Sequence, residues 1–217
     1  MALTFYYAPG ACSLASHIAL VESGLSFEAV PVALSKGEQR GPQFLAMNPK
    51  GRIPLLRTDF GSLTENPAIL EYVADLVPEA ALKPQNHPAQ LAKMRECNAY
   101  LSSTVHVAHA HGPRGVRWAS EAASLADMKA KVPETMLAAF QLIENQLEQA
   151  QGPWMLGQEY SLADMYLYTF SRWLEMDQVD VSLLPRVLSH RAAMESRPAI
   201  AAVLAKEGIA SLSRGEA

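Results

Sequence analysis

The sequence predicts a small α/β domain followed by an all-helical domain, and three observations carry that prediction. Short segments that alternate apolar and polar residues are confined to the first part of the chain. A polar, proline-rich connection, Lys83-Pro84-Gln85-Asn86-His87-Pro88, interrupts the pattern. Beyond it only long helical patterns remain. The expected division is a domain over 1–80, a linker over 81–87 and a helical domain over 88–217.

Leu3, Phe5 and Tyr7 alternate with Thr4 and Tyr6 before Pro9-Gly10, giving a first strand and a tight turn. A helix comes next, with Ser13 as its cap, Leu14, Ile18 and Val21 at helical spacing, and Gly24 where a left-handed residue ends it. Residues 27–32 read as a second strand and 42–47 as a short helix. Asn48-Pro49-Lys50-Gly51 is turn chemistry, residues 53–57 form a third strand interrupted by Pro54, and Asp59-Phe60-Gly61 makes a hairpin into Leu63-Thr64. Ala68, Ile69, Tyr72, Val73 and Leu76 mark one face of a helix stopped by Pro78. The order is βαβαββα. In the second half, Leu91, Met94, Tyr100, Leu101 and Val105 carry a long helix, 136–147 another, and 162–174 an apolar central one. Ser161-Leu162-Ala163-Asp164 is a capping box at the start of that central helix.

A chain of 217 residues with 49% hydrophobic content buries a sizeable core. Its net charge of −4 lacks the basic stripe that a nucleic-acid partner requires. No apolar run is long enough to span a bilayer, and Met1-Ala2-Leu3-Thr4-Phe5-Tyr6-Tyr7 lacks the basic region of a secretion signal, so a cytosolic protein is expected. Cys12 and Cys97 are expected to be free thiols.

Three features can carry chemistry. Cys12 stands after a turn and before a helix, where free amides and the helix dipole favour the thiolate; the alternative is a small buried hydrophobe. Pro54 cannot donate to a ladder, and a cis bond there presents the Ile53 backbone edge to an extended peptide; the alternative is a simple edge-strand marker. Thr64-Glu65-Asn66 opens a helix whose free amides hold a carboxylate while Glu65 neutralises an ammonium; the alternative is N-capping with Pro67 in the first turn.

With these features in this order, the chain resembles the cytosolic glutathione transferases over nearly its whole length. The resemblance rests on Tyr7-Ala8-Pro9-Gly10-Ala11-Cys12-Ser13-Leu14, Asn48-Pro49-Lys50-Gly51-Arg52-Ile53-Pro54, Leu63-Thr64-Glu65-Asn66-Pro67-Ala68-Ile69 and the capping box. The first motif is similar to the bacterial beta class. The resemblance implies a thioredoxin-like N-terminal domain with a mixed four-stranded sheet, and an all-α domain contributing the second-substrate site. It places Cys12 beside the glutathione sulfur, Ile53 on the cysteinyl backbone, and Glu65 with Asn66 on the γ-glutamyl end. Tyr6, Ser13, Arg52 and Pro54 complete the implied binding set, and His106 matches a beta-class active-site position. The implied activity is conjugation of the glutathione thiolate to a small electrophile, by a homodimer with no cofactor and no metal. Glutathione-dependent thiol–disulfide exchange through Cys12 and a non-catalytic glutathione-binding protein are the alternatives.

His106 is expected across the cleft from Cys12, either neutral and taking a proton or charged and stabilising a thiolate. Tyr6 and Tyr7 are alternative activators of the thiol, one of them facing the core. Ala99, Val105 and Val107 depart from the polar residues of the beta-class pattern. Among His106, His109 and His111, the first two share a helix face and the third turns away, so no metal set forms. Arg114 and Arg117 either receive an anionic second substrate or form a solvated surface pair.

Overall fold

The computed structural model describes residues 2–212; Met1 and the tail 213–217 of the expected helical domain lie outside the described residues. Four short strands, β1 (Thr4–Tyr7), β2 (Glu28–Pro31), β3 (Leu55–Thr58) and β4 (Gly61–Thr64), form one mixed sheet in the order β2-β1-β3-β4. β1 runs parallel to β2, with Phe5 opposite Ala29, and antiparallel to β3, with Phe5 opposite Leu56. β3 and β4 make the hairpin, Leu55 facing Thr64. The period-two alternation sends Phe5, Tyr7 and Leu56 to one face, under α1 (Leu14–Glu22) and α3 (Asn66–Leu76). Leu55 and Val32 pack on the other face with Phe44 of α2 (Pro42–Met47). This is the thioredoxin-like domain that the resemblance implies, its sheet mixed and its elements in the order βαβαββα along the chain.

The helical part comprises α4 (Pro88–Tyr100), α5 (His106–Arg114), α6 (Ala122–Gln149), α7 (Leu162–Ser171), α8 (Pro185–Glu195) and α9 (Pro198–Glu207). α7 is buried at every residue and packs against α1, so it is central as predicted. The same contact explains why residues 14–20 of α1 are all buried where spacing predicted one face: the sheet covers one side and α7 the other. α3 is rotated from its predicted face, burying Asn66, Ile69, Leu70, Val73 and Ala74 while Ala68 stays exposed. α6 starts well before the predicted 136 and continues through Pro133, because Val132, Met136, Ala139, Phe140, Ile143 and Leu147 bury a continuous stripe around it. Between α4 and α5 the helix does not stop; Leu101–Val105 is a π-helical stretch that shifts the phase of α5 relative to α4.

Two contacts fix the turn after β1 to the helical domain. The amide of Gly10 donates to Glu207 Oε2 at 2.8 Å, and its carbonyl accepts from Trp173 Nε1 at 3.0 Å. Gly10 has φ 66°, the left-handed conformation that a glycine adopts without strain.

The capping box of α7 is formed. Ser161 Oγ accepts from the first-turn amides, and Asp164 Oδ2 accepts from the Ser161 amide at 2.8 Å. Asp164 Oδ1 also accepts from the Met155 amide at 2.7 Å and lies 3.1 Å from His190 Nε2. All of this is buried, so removing the carboxylate orphans several donors at once. Asp164→Ala is expected to cost about 3 kcal/mol and to lower Tm by roughly 6–12 °C in a thermal melt. A change within about 1 °C shows that the network contributes nothing.

Candidate functional site

Between the sheet domain and α5 lies an open cleft of about 720 Å³. The sheet domain contributes Cys12, Asn48, Lys50, Arg52, Ile53 and Glu65; α5 and the turn after it contribute His106, Arg114 and Arg117. The chain thus brings together the segments that sequence spacing singled out, although they are up to about one hundred residues apart.

Ile53 precedes β3 and lies outside every ladder of the sheet, and the Ile53-Pro54 peptide is cis, as expected. Asn48 holds this turn from within, its Nδ2 donating to the Arg52 carbonyl at 2.6 Å. The Cys12 thiol donates to the Ile53 carbonyl at 3.6 Å. Glu65, the residue before α3, has φ 75°, a conformation costly for a residue with a side chain. It makes no capping bond; its exposed carboxylate accepts instead from Lys50 Nζ at 2.6 Å, and Lys50 also donates to Thr64 Oγ1 at 2.8 Å. Strain of this kind persists where surrounding structure imposes it, and here it aims a carboxylate over the cleft.

Several expectations need correction. Cys12 is not a thiolate at neutral pH. Its side chain is 5% exposed, and burial pushes the thiol up to about 11 against the attraction of Arg114, its own backbone amide and Asn66. Helix-end polarity is too weak to offset that desolvation. Ser13 is fully buried and folds back on Ala8, accepting from its amide at 3.1 Å and donating to its carbonyl at 3.2 Å, so it neither caps α1 nor reaches the cleft. Asn66 does not lay its side chain over a ligand. Its Nδ2 donates to the Cys12 carbonyl at 2.9 Å and its Oδ1 accepts from Ser16 at 2.6 Å, so the side chain braces the Cys12 turn from inside. Tyr6 packs edge-on against Phe44 on the α2 face of the sheet, and Tyr7 stacks with Phe5 and His17 in the core. Neither tyrosine lines the cleft.

His106 faces the cleft, its ring against Phe170 and Trp173 with centroids 5.3 and 5.6 Å away. Burial first, and then the positive charge of Arg114, push its pKa down to about 3. The charged imidazole is therefore excluded at neutral pH. Arg114 can only donate, so its Nη1, 3.4 Å from His106 Nε2, makes that nitrogen the acceptor and leaves the ring proton on Nδ1. His109 is structural, its Nδ1 2.8 Å from Asp177 and its ring 4.1 Å from Trp173. His111 stacks on Trp118 at 4.5 Å. Among the described residues no three His, Cys, Asp or Glu side chains come together as metal ligands.

Arg114 and Arg117 both line the cleft with Arg52 and Arg40. The mutual repulsion is visible at Arg117, whose pKa is lowered by partial burial and by Arg52, Arg114 and Arg40. Sequence reasoning missed Arg40, Lys50, Ser102, Trp118 and Tyr166 as cleft residues. Lys50 had a signal, since it sits in the turn that presents Ile53; Ser102 and Tyr166 had none, because the π stretch and the packing of α7 place them.

The sequence models of the glutathione S-transferase N-terminal and C-terminal domains match residues 1–75 and 116–207. The chain is 32% identical over 209 residues to glutathione S-transferase GstA of Escherichia coli O157:H7, covering 95% of this chain and all of that protein. A glutathione transferase homologue from Sulfitobacter, solved with bound glutathione, is 44% identical and superposes with a TM-score of 0.91 over 96% of this chain and 99% of its own. The bacterial beta class glutathione S-transferase of Sphingomonas chungbukensis is 32% identical with a TM-score of 0.83, over 95% of this chain and all of its own. A mixed four-stranded sheet followed by helices, a cleft between them and agreement over almost the full length establish that the chain belongs to the glutathione S-transferase family.

Proposed function

We propose that the cleft binds glutathione and joins its sulfur to a small electrophile, with Cys12 as a neutral neighbour of the reacting sulfur. One observation carries the reading: the backbone of Ile53, which lies outside every ladder of the sheet, the Cys12 thiol and the Glu65 carboxylate border one cleft. Glu65, held by Lys50, takes the ammonium, the start of α3 takes the neighbouring carboxylate, and Ile53 pairs with the middle residue. Arg52 is the cation for the far carboxylate.

The chemistry is set by the state of each group at neutral pH. A glutathione thiol becomes a nucleophile on losing its proton. Arg114 is the strongest attraction felt at the Cys12 sulfur, so its field also favours a thiolate placed beside that sulfur. His106, neutral and bonded to Arg114, holds the guanidinium in place; Cys12 offers a weak S–H donor. In the reaction a sulfur–carbon bond forms, the electrophile's leaving group departs with its electron pair, and the thiol proton goes to solvent. A homodimer in the cytosol belongs to the same proposal; no helix among the described residues is long and apolar enough to cross a membrane.

The protein is expected to be retained on immobilised glutathione, and Glu65→Ala to weaken glutathione binding about 10–100-fold in calorimetry. Failure of the wild type to bind glutathione overturns the reading. Because burial raises the Cys12 thiol, the neutral form dominates until alkaline pH, and alkylation of Cys12 by iodoacetamide should rise with pH towards an inflection near 11. An inflection below 8 contradicts that assignment. Cys12→Ala should keep conjugation of a generic aromatic chloride within about tenfold. Loss in this variant of the glutathione-dependent reduction of a small glutathione-capped disulfide, which releases the small thiol and forms glutathione disulfide, with conjugation intact, marks exchange chemistry as a second activity through Cys12.

A further inference from the structure

The cleft holds more positive charge than glutathione can neutralise. Arg40, Lys50, Arg52, Arg114 and Arg117 line it, against Glu65 as the lining carboxylate. Lys50 pairs with Glu65, and none of the four arginines joins an ion pair among the described residues. Bound glutathione in its thiolate form carries three negative charges and one positive. Added to this lining, it leaves two positive charges uncompensated. Two of these arginines stand on the α5 wall of the cleft: Arg114 closes α5, and Arg117 lies in the turn after it. An exposed arginine is ordinarily satisfied by water, but here partial burial, and then the repulsion of Arg52, Arg114 and Arg40, lower the pKa of Arg117, and Arg114 turns to a neutral imidazole rather than to a carboxylate.

Two apolar side chains flank Arg117 in the chain and line the cleft with it. Val116 is 73% exposed and Trp118 48%, and both border the cleft; Trp118 is braced from behind by the stacked ring of His111. An aromatic face next to two planar guanidinium groups fits a ligand with a planar apolar body and an anionic end.

Resting on the reading of the cleft as a glutathione site, we propose that the second substrate is a planar electrophile bearing a carboxylate, which Arg117 and Arg114 bind while Trp118 and Val116 cover its apolar face. The carboxylate takes no part in bond making. It holds the electrophilic carbon over the glutathione sulfur, so its contribution appears in selectivity between a charged substrate and its neutral twin.

The test pairs 4-chloro-3,5-dinitrobenzoate with its methyl ester. Both lose chloride to the glutathione thiolate, forming the same sulfur–carbon bond; because the ester withdraws more electron density than the carboxylate, each kcat/KM is divided by the rate constant of the uncatalysed reaction with glutathione. The wild type is expected to favour the acid by about tenfold or more in kcat/KM, and the preference should shrink as potassium chloride rises. Arg117→Gln should bring the ratio of acid to ester close to one; any effect on glutathione binding cancels, because both reactions share it. Calorimetric titration of the glutathione-loaded protein with the acid gives a readout independent of turnover, and binding should weaken in Arg117→Gln. If glutathione is retained but the acid is neither bound nor preferred, or if the preference survives in Arg117→Gln, the inference fails. If glutathione itself is not retained, the reading beneath it fails, and the affinity step shows which has happened.

Discussion

Gly10 is held by the helical domain through both of its backbone polar groups, its N–H by Glu207 and its carbonyl by Trp173. Glu207 is fixed in turn by His17 of α1, 2.7 Å from its other oxygen, with both side chains fully buried. A buried carboxylate is retained only where its oxygens are met by hydrogen-bonding partners, and here two different segments of the first domain supply them. Trp173 performs a second task from the same position, since its ring lies against both His106 and His109. The turn carrying Cys12 and the helix carrying His106 are therefore referenced to one indole. The cleft has a defined width because these two walls share that reference; a hinge between the halves would need to break buried hydrogen bonds first.

Desolvation decides most of the local chemistry. At Cys12 it exceeds the pull of a guanidinium, a backbone amide and a side-chain amide, leaving a protonated thiol. At His106 it acts in the same sense as the neighbouring cations, leaving a neutral ring. Arg117 stays basic, its intrinsic basicity outlasting partial burial, and Lys50 and Glu65 form an ion pair near solvent. The site thus consists of neutral sulfur and imidazole in the interior and fixed charge towards the mouth. That is an arrangement for holding and orienting a polyanionic peptide more than for moving protons.

How much of this the sequence disclosed depended on how local each signal is. The succession of elements, the hairpin, the capping box at Ser161 and the cis turn at Ile53-Pro54 depend on neighbouring residues, and they were readable. Glu65 was readable as a site residue, but its left-handed backbone was not, because only the surrounding fold imposes it. The side chains of Ser13 and Asn66 turn inward for a common reason. Polar residues at helix starts have two ways to be satisfied, outward to a ligand or inward to a turn, and both choose the turn that carries Cys12. Arg40 reached the cleft with no sequence signal, since nothing in its segment says which neighbour it meets. The all-round burial of α1 was invisible for a similar reason, being set by α7 from the other end of the chain.

The π-helical stretch over Leu101–Val105 sets where α5 points. One extra residue in a helical turn rotates everything after it by roughly 100°. His106, Ala110 and Arg114, which line the cleft at intervals of four, owe their common aim to that offset. The aim is therefore encoded in chain length and not in any one side chain. Substitutions along α4 leave it untouched, whereas a single-residue deletion before His106 would turn the cleft's far wall into solvent or core. The residue count of this segment is therefore as much a part of the site as Leu101 and Val105, which anchor it in the core.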